Sequence, residues 1–274
     1  YNLFITILIQ GVYFMERKFQ VNYKKDILRF ALLLGEQMLT NGAETSRVED
    51  SVLRVCKSRG FKHVNVFTTP TCVIISDEKF DGLTFMKTIS KRTINLTKID
   101  RLNDISRQFV QNEDIDPLKA ISMLQEVDAV KDYDQFVYFA GTAMASASFA
   151  YLIGGTGILD FILTLVIASI GVIIYNKTIK LNQIPFFATL ISSFFIAVFG
   201  NLLVKYNILA SSKSLIVGSI MPLLPGVSFI KGLRDLISGN LIAGTSRIID
   251  SCLIAAAIAV GVGVVLDLSI RFGG

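Results

Sequence analysis

A chain of 274 residues with no tryptophan, a single histidine and a mean hydropathy of +0.56 is too apolar for an ordinary soluble protein, and its charges are unevenly spread. Residues 1–134 hold 19 of the 27 Lys/Arg and 18 of the 22 Asp/Glu, which leaves 8 and 4 for residues 135–274 and indicates a charged domain followed by a membrane domain. The formal net charge of +5 is then no argument for nucleic acid, because excess Lys/Arg beside a bilayer reports topology and attraction to anionic headgroups. Cys56, Cys72 and Cys252 are widely spaced and form no CxxC pair, which excludes a disulfide framework and a zinc site.

Residues 1–14 are apolar and uncharged, too short to span a bilayer and without the basic start of a signal peptide. Met15 follows directly and is the expected biological start, with residues 1–20 a leader or disordered N-terminus; an interfacial anchor is the alternative. The amphipathic stretch 26–39 predicts a helix with Ile27, Phe30, Ala31, Leu34 and Met38 on one stripe. Next comes the most motif-dense segment of the chain, 41–60, NGAETSRVEDSVLRVCKSRG. Asn41-Gly42 breaks the first helix and begins the second; the spacings Asn41/Glu44 and Ser46/Glu49 each suit a capping box. Val48, Val52, Val55 and Cys56 then share one helical face, while Arg47, Asp50, Arg54 and Lys57 lie mostly on another.

Two readings of these charges stand open. In one, Glu44 pairs with Arg47 and Asp50 with Arg54 on a solvated face, each pair worth about 0.2–0.5 kcal/mol. In the other, Asn41, Glu44, Thr45, Arg47 and Glu49 form one polar cluster at a helix N-terminus, where backbone amides favour an anion.

Beyond it, 61–67 and 72–76 read as strands joined by a hairpin turn at Thr68-Thr69-Pro70-Thr71, and 83–90 as a third strand. His63 alternates with Phe61 and Val64 in the first strand and has no second histidine to work with. Residues 96–112 predict a helix with Leu96, Ile99, Leu102, Ile105 and Phe109 inward, and Asp116-Pro117 starts another over 118–127. Residues 21–132 are thus a small α+β domain, expected to be cytoplasmic, with no GxxxxGK[ST], GxGxxG or HExxH.

From 133 onward the chain predicts a membrane α-helical bundle of about five transmembrane helices, over the uncharged runs 135–159, 161–176, 181–204, 214–230 and 251–266. Gly141, Ala143, Ala145, Ala147, Ala150, Gly218, Ala255–Ala257, Gly261 and Gly263 permit close helix approach. Loop charges favour an N-in, C-out arrangement: loop one (154–157) is uncharged, while Lys177, Lys180, Lys231, Arg234 and Arg247 are inside and Lys205 and Lys213 dissent.

Three features of this half suit transport. Pro222 and Pro225-Gly226 interrupt the fourth span, as a simple kink or as unwound backbone lining a substrate path. Asp160 and Asp250 lie at predicted span edges, as caps or as gating and proton-exchange groups; no Lys or Arg lies inside a predicted span, so their charge is expected to be met by protonation, at the interface or by another subunit. Arg234, with Lys231, follows the broken span, either to collect carboxylate-bearing metabolites or to set topology.

The string NGAETSRVED, the PTC turn and the distant PLLPGVSFIKGLRDLISGN resemble the threonine/serine exporter family (ThrE-type transporters) over roughly residues 24–268. The chain looks like shorter members that carry the cytoplasmic domain and first membrane half only. The resemblance implies a secondary exporter of threonine, serine or a small dicarboxylate such as succinate in the cell membrane, with no cofactor and no metal. It also implies a partner, a small membrane protein supplying the second membrane half in one or several copies. Proton coupling fits the absence of a nucleotide site. A membrane-tethered hydrolase centred on residues 41–49 is the rival reading, but Thr45 and Ser46 have no local histidine; a ligand-sensing receptor is the third.

Overall fold

The computed structural model describes the backbone of residues 2–79, 82–90, 92–130, 134–154, 157–209 and 211–272, and side chains between residues 21 and 271 of these. The side chains of the expected leader, residues 155 and 156 of the expected first loop, and the expected domain boundary at 132/133 lie outside the described residues. The chain divides into two compact units, residues 1–131 with 231–246, and residues 132–230 with 247–274.

In the first unit, α1 (Asn2–Thr40) and α2 (Thr45–Ser58) form a middle layer. On one side lies an antiparallel meander of β1 (Val64–Thr69), β2 (Cys72–Asp77) and β3 (Thr84–Thr88); on the other lie α3 (Leu96–Gln111) and α4 (Pro117–Ala129). This sandwiching explains why α1 buries more than one stripe. Ile27, Phe30, Ala31, Leu34 and Met38 are buried as expected, and so are Leu28, Leu32 and Leu39 on its flanks. Val48, Val52, Val55 and Cys56 of α2 are fully buried, and Phe30 stacks on Phe109 of α3 with ring centroids 4.5 Å apart. Arg59 lies 4.1 Å above that same Phe109 ring and donates to the carbonyls of Asn112 (2.9 Å) and Ile115 (3.3 Å), tying the α3–α4 connection to the end of α2.

Several local expectations are corrected. Thr69 pairs with Cys72, so the hairpin loop is Pro70-Thr71 alone. His63 precedes the strand and is exposed, and Leu96, the first residue of α3 after its Asn95 cap, is 69% exposed. Asp116 precedes Pro117 at the start of α4 without a side-chain capping bond.

Neither expected capping box forms. Asn41-Gly42 closes α1 instead of opening α2: Gly42 N donates to Leu39 O and Ala43 N to Met38 O, the paired bonds of a Schellman cap with glycine at φ +88°. Asn41 turns back and donates through Nδ2 to Gln37 O (2.8 Å). The residue before α2 is Glu44, whose side chain makes no capping bond, and Ser46 is already inside the helix. Glu49 reaches away to accept from Thr68 N and Thr68 Oγ1, both at 3.0 Å.

The second unit contains α5 (Gln135–Ile153), α6 (Ile158–Asn182), α7 (Pro185–Lys205) and α8 (Lys213–Ile220), together with the membrane part of α10 (Leu241–Phe272). Four of the described helices are long and apolar enough to cross a membrane, and five spans result if the bent pair α8 and α9 (Gly226–Ile237) is one. Close approach rests on selected small residues. A Cβ on Gly218 of α8 would stand 2.5 Å from Ala150 Cβ and 2.8 Å from Ser146 O of α5, so only glycine fits there. Ser192 of α7 donates to the carbonyl of Gly171 in α6 at 2.7 Å. Gly141, Ala145 and Gly263, by contrast, face outward, with open space beside the two glycines.

Candidate functional site

The expected fourth span is broken where the prolines predicted it. After α8 ends at Ile220, a 3-10 turn covers Met221–Leu223, Leu224 is extended (φ −68°, ψ 130°), and α9 starts at Gly226 at 57° to the preceding segment. Leu224 adopts this conformation because the ring of the following proline disfavours the helical region, and Pro225 itself has no N–H to continue the ladder. The first bond within α9 is Phe229 N to Pro225 O at 2.9 Å. The amides of Gly226, Val227 and Ser228 therefore belong to the helix's open, partially positive end.

The break forms one wall of a cavity of about 230 Å³. Pro222, Leu223, Pro225 and Ser228 line it, together with Tyr138 of α5, Val172 and Tyr175 of α6, Pro185 and Thr189 of α7, and Asp250, Ser251 and Ile254 of α10. It sits at the end of the bundle where α5 begins, α6 ends and α7 begins. One carboxylate and five hydroxyls face a space too small for a drug-sized ligand, whose sites run to about 300–1,000 Å³.

Pro222, Pro225 and Asp250 thus come together. Gly226 follows directly on the wall, and a side chain there would enter open space. Asp160 is not in this cavity; it lies in the first turn of α6, where a carboxylate complements the helix dipole. Because α10 is helical from Leu241, Arg247 falls three residues before Asp250 on one helix.

Arg234 and the motif 41–49 meet elsewhere, inside the first unit. Residues 231–246 fold with residues 1–131, and three polar bonds join α9 to the turn before α2. Lys231 Nζ donates to Gly42 O, Arg234 donates to Glu44 Oε1 at 2.8 Å, and Thr45 Oγ1 donates to Asp235 Oδ1 at 2.7 Å. Thr45 is 0% and Asp235 1% exposed. The Glu44–Arg47 pair is therefore absent: Glu44 pairs with a residue 190 positions away, while Asp50 and Arg54 pair as expected at 2.8 Å.

Arg47 is exposed on another side, lining a cleft of about 430 Å³ between α2 and α3 with Asp50, Arg54, Asn103 and Arg107. The five polar residues are not one cluster, and Thr45 is not an accessible nucleophile. Asp235 and Ser251 were missed by sequence reasoning. For Asp235 the signal was present, since a carboxylate in a family-like block beside two cations invites a buried partner.

Several apolar helices long enough to cross a membrane, packed around a polar cavity, describe a multi-pass membrane protein. A family model described as "Putative threonine/serine exporter" (ThrE) matches residues 29–269, and the chain belongs to that family. It is 22% identical over 256 residues to "Threonine/serine exporter" of Corynebacterium glutamicum, covering 89% of this chain and 51% of that protein. It is also 22% identical over 251 residues to "Probable threonine/serine exporter" of Mycobacterium tuberculosis, covering 88% and 46%. The chain spans about half the length of these curated relatives. No solved structure matches it.

Proposed function

We propose that this chain forms the substrate-loading part of an exporter for small hydroxylated amino acids, threonine or serine, and that the cavity at the break of the fourth span is where they load. The cavity's chemistry carries the reading. Asp250 supplies a negative charge for the substrate ammonium, the amides at the start of α9 suit its carboxylate, and the ring of hydroxyls suits its side chain. An ionised Asp250 repels a dicarboxylate, which favours the amino acids over succinate. A carboxyl at this position also offers a route to proton coupling.

The topology supports loading from the cytoplasm. Residues 1–131 and residues 231–246 belong to one compact unit, and a compact body outside the bilayer cannot straddle it. That favours an even number of crossings by the intervening chain; with α5, α6 and α7 as three, it supports α8 with α9 as a fourth, broken span. Lys177 and Lys180 between the second and third spans, with Lys231 and Arg234 after the fourth, support a cytoplasmic first unit by the positive-inside rule.

The relatives' length and the outward-facing small residues of α5 and α10 support a further set of membrane helices packed on this bundle, for which a separate small membrane protein is the proposed source. The hydrolase reading has little to stand on, since Thr45 is buried against Asp235 and the lone histidine is exposed.

Asp250→Asn tests the site. Threonine and serine efflux per inserted molecule falls at least tenfold while membrane insertion is unchanged; unimpaired efflux by the inserted variant would take the cavity out of the path.

A further inference from the structure

The turn that carries the family-like block holds α9 by three bonds of different kinds. α9 is one uninterrupted helix from Gly226 to Ile237. Its first turn borders the proposed loading cavity through Ser228, with Pro225 just before it, and Lys231, Arg234 and Asp235 follow further along the same helix. A helix this short moves as a rod, so whatever fixes its second half also fixes its first.

The held end is also finished firmly. Gly239 N donates to Leu236 O (3.0 Å) and Asn240 N to Asp235 O (2.9 Å), closing α9 with a Schellman cap that feeds straight into α10. A Cβ on Gly244 would stand 2.7 Å from Gly232 O, so the α9–α10 hairpin is backbone-close beside the socket.

We propose that Gly42, Glu44 and Thr45 form a socket for α9, and that this socket sets the position of the broken helix during transport; Glu44 and Thr45 are positioning residues and not substrate ligands. The inference rests on the cavity being the loading site and adds to it a role for the soluble unit. The bond from Thr45 to Asp235 is the anchor, because a fully buried hydroxyl there satisfies a buried carboxylate oxygen; the exposed Arg234–Glu44 pair sets register more than strength. The socket can release α9 by breaking three side-chain bonds without unfolding either partner, which suits a helix that has to move in each cycle.

The test uses the full chain in membranes, with two readouts: threonine and serine efflux per inserted molecule, and amide hydrogen exchange of residues 231–237. Thr45→Val, which keeps shape and removes the donor, speeds exchange in 231–237 by about tenfold and lowers efflux several-fold. Glu44→Arg and Arg234→Glu each do the same more weakly, and the double charge swap recovers both readouts. Efflux lost with exchange in 231–237 unchanged would overturn the proposal, placing the block on the substrate. Faster exchange with normal efflux would overturn it as well, reducing the socket to a fastener. If the wild-type chain exports neither amino acid, the loading-site reading fails, and exchange alone still decides whether the socket exists.

Discussion

Gly42 and Gly60 occupy equivalent places, each the left-handed residue of a Schellman cap, at φ +88° and +83°, and they separate a conformational cost from a steric one. A Cβ on Gly60 meets nothing within 4 Å, so Gly60→Ala costs only the left-handed conformation, about 1–2 kcal/mol, reduced by the lower entropy of the unfolded chain to about 1 kcal/mol. A Cβ on Gly42 would stand 2.7 Å from Thr93 O. That strand-like segment cannot retreat freely, because Thr93 N donates to Thr40 O (2.8 Å) and Asn95 N to Asn41 O (3.1 Å), both on the turn itself. Breaking those two bonds adds about 1–3 kcal/mol, so Gly42→Ala should cost about 2–4 kcal/mol in all.

Cys56, fully buried in the α1–α2 core, offers the readout. In a Cys72→Ser, Cys252→Ser background, maleimide labelling of Cys56 during a thermal ramp reports opening of the first unit. At about 2–4 °C per kcal/mol for a unit of about 150 residues, Gly60→Ala should lower the midpoint by roughly 3 °C and Gly42→Ala by roughly 4–16 °C. Equal shifts for the two variants would refute the steric argument and with it the close docking of residues 93–95 on the turn.

The Cys56 thiol is itself pushed up from 9.0 to about 12, by burial first and by the nearby Asp77 carboxylate second. The folded state holds the proton that the unfolded state gives up above pH 9, so this contribution is complete below pH 9 and is lost as pH rises towards 12. The first unit should lose up to about 1.4 kcal/mol per pH unit in that window, and denaturation of Cys56→Ala alongside the parent should show that component missing. Gly226→Leu should insert normally, since its side chain enters open space, but should block flux at the cavity wall; normal flux would make the break a mere kink. Purified chain alone in liposomes should give little threonine or serine flux until a companion membrane protein is added, and full flux without one would end the two-component proposal.

Much of this was legible in the sequence where periodicity alone decides structure. The stripe of α1, the buried face of α2 and the apolar runs of α5 to α7 follow from side-chain spacing, and Pro222 and Pro225 mark the break because a proline's missing N–H acts locally wherever the chain goes. What spacing could not supply was partnership across the chain. Glu44 has an attractive local partner in Arg47, yet it pairs with Arg234, because residues 231–246 fold back onto the first unit. Asn41-Gly42 was equally ambiguous: the dipeptide is good for ending one helix and for starting the next, and the Schellman bonds to Leu39 and Met38 chose the former. Asp250 read as a span-edge carboxylate; only the packing of α5, α6, α7 and α10 around the break shows it facing hydroxyls.

The central claim is tested most directly in cells from which the gene has been deleted, loaded with threonine- and serine-containing dipeptides and supplied in parallel with succinate. The account predicts that threonine or serine accumulates inside and leaves slowly, that the intact chain restores efflux, that Asp250→Asn does not, and that succinate release is the same in all three strains. Unchanged amino-acid efflux in the deletion strain, or restoration of succinate efflux in its place, would contradict it.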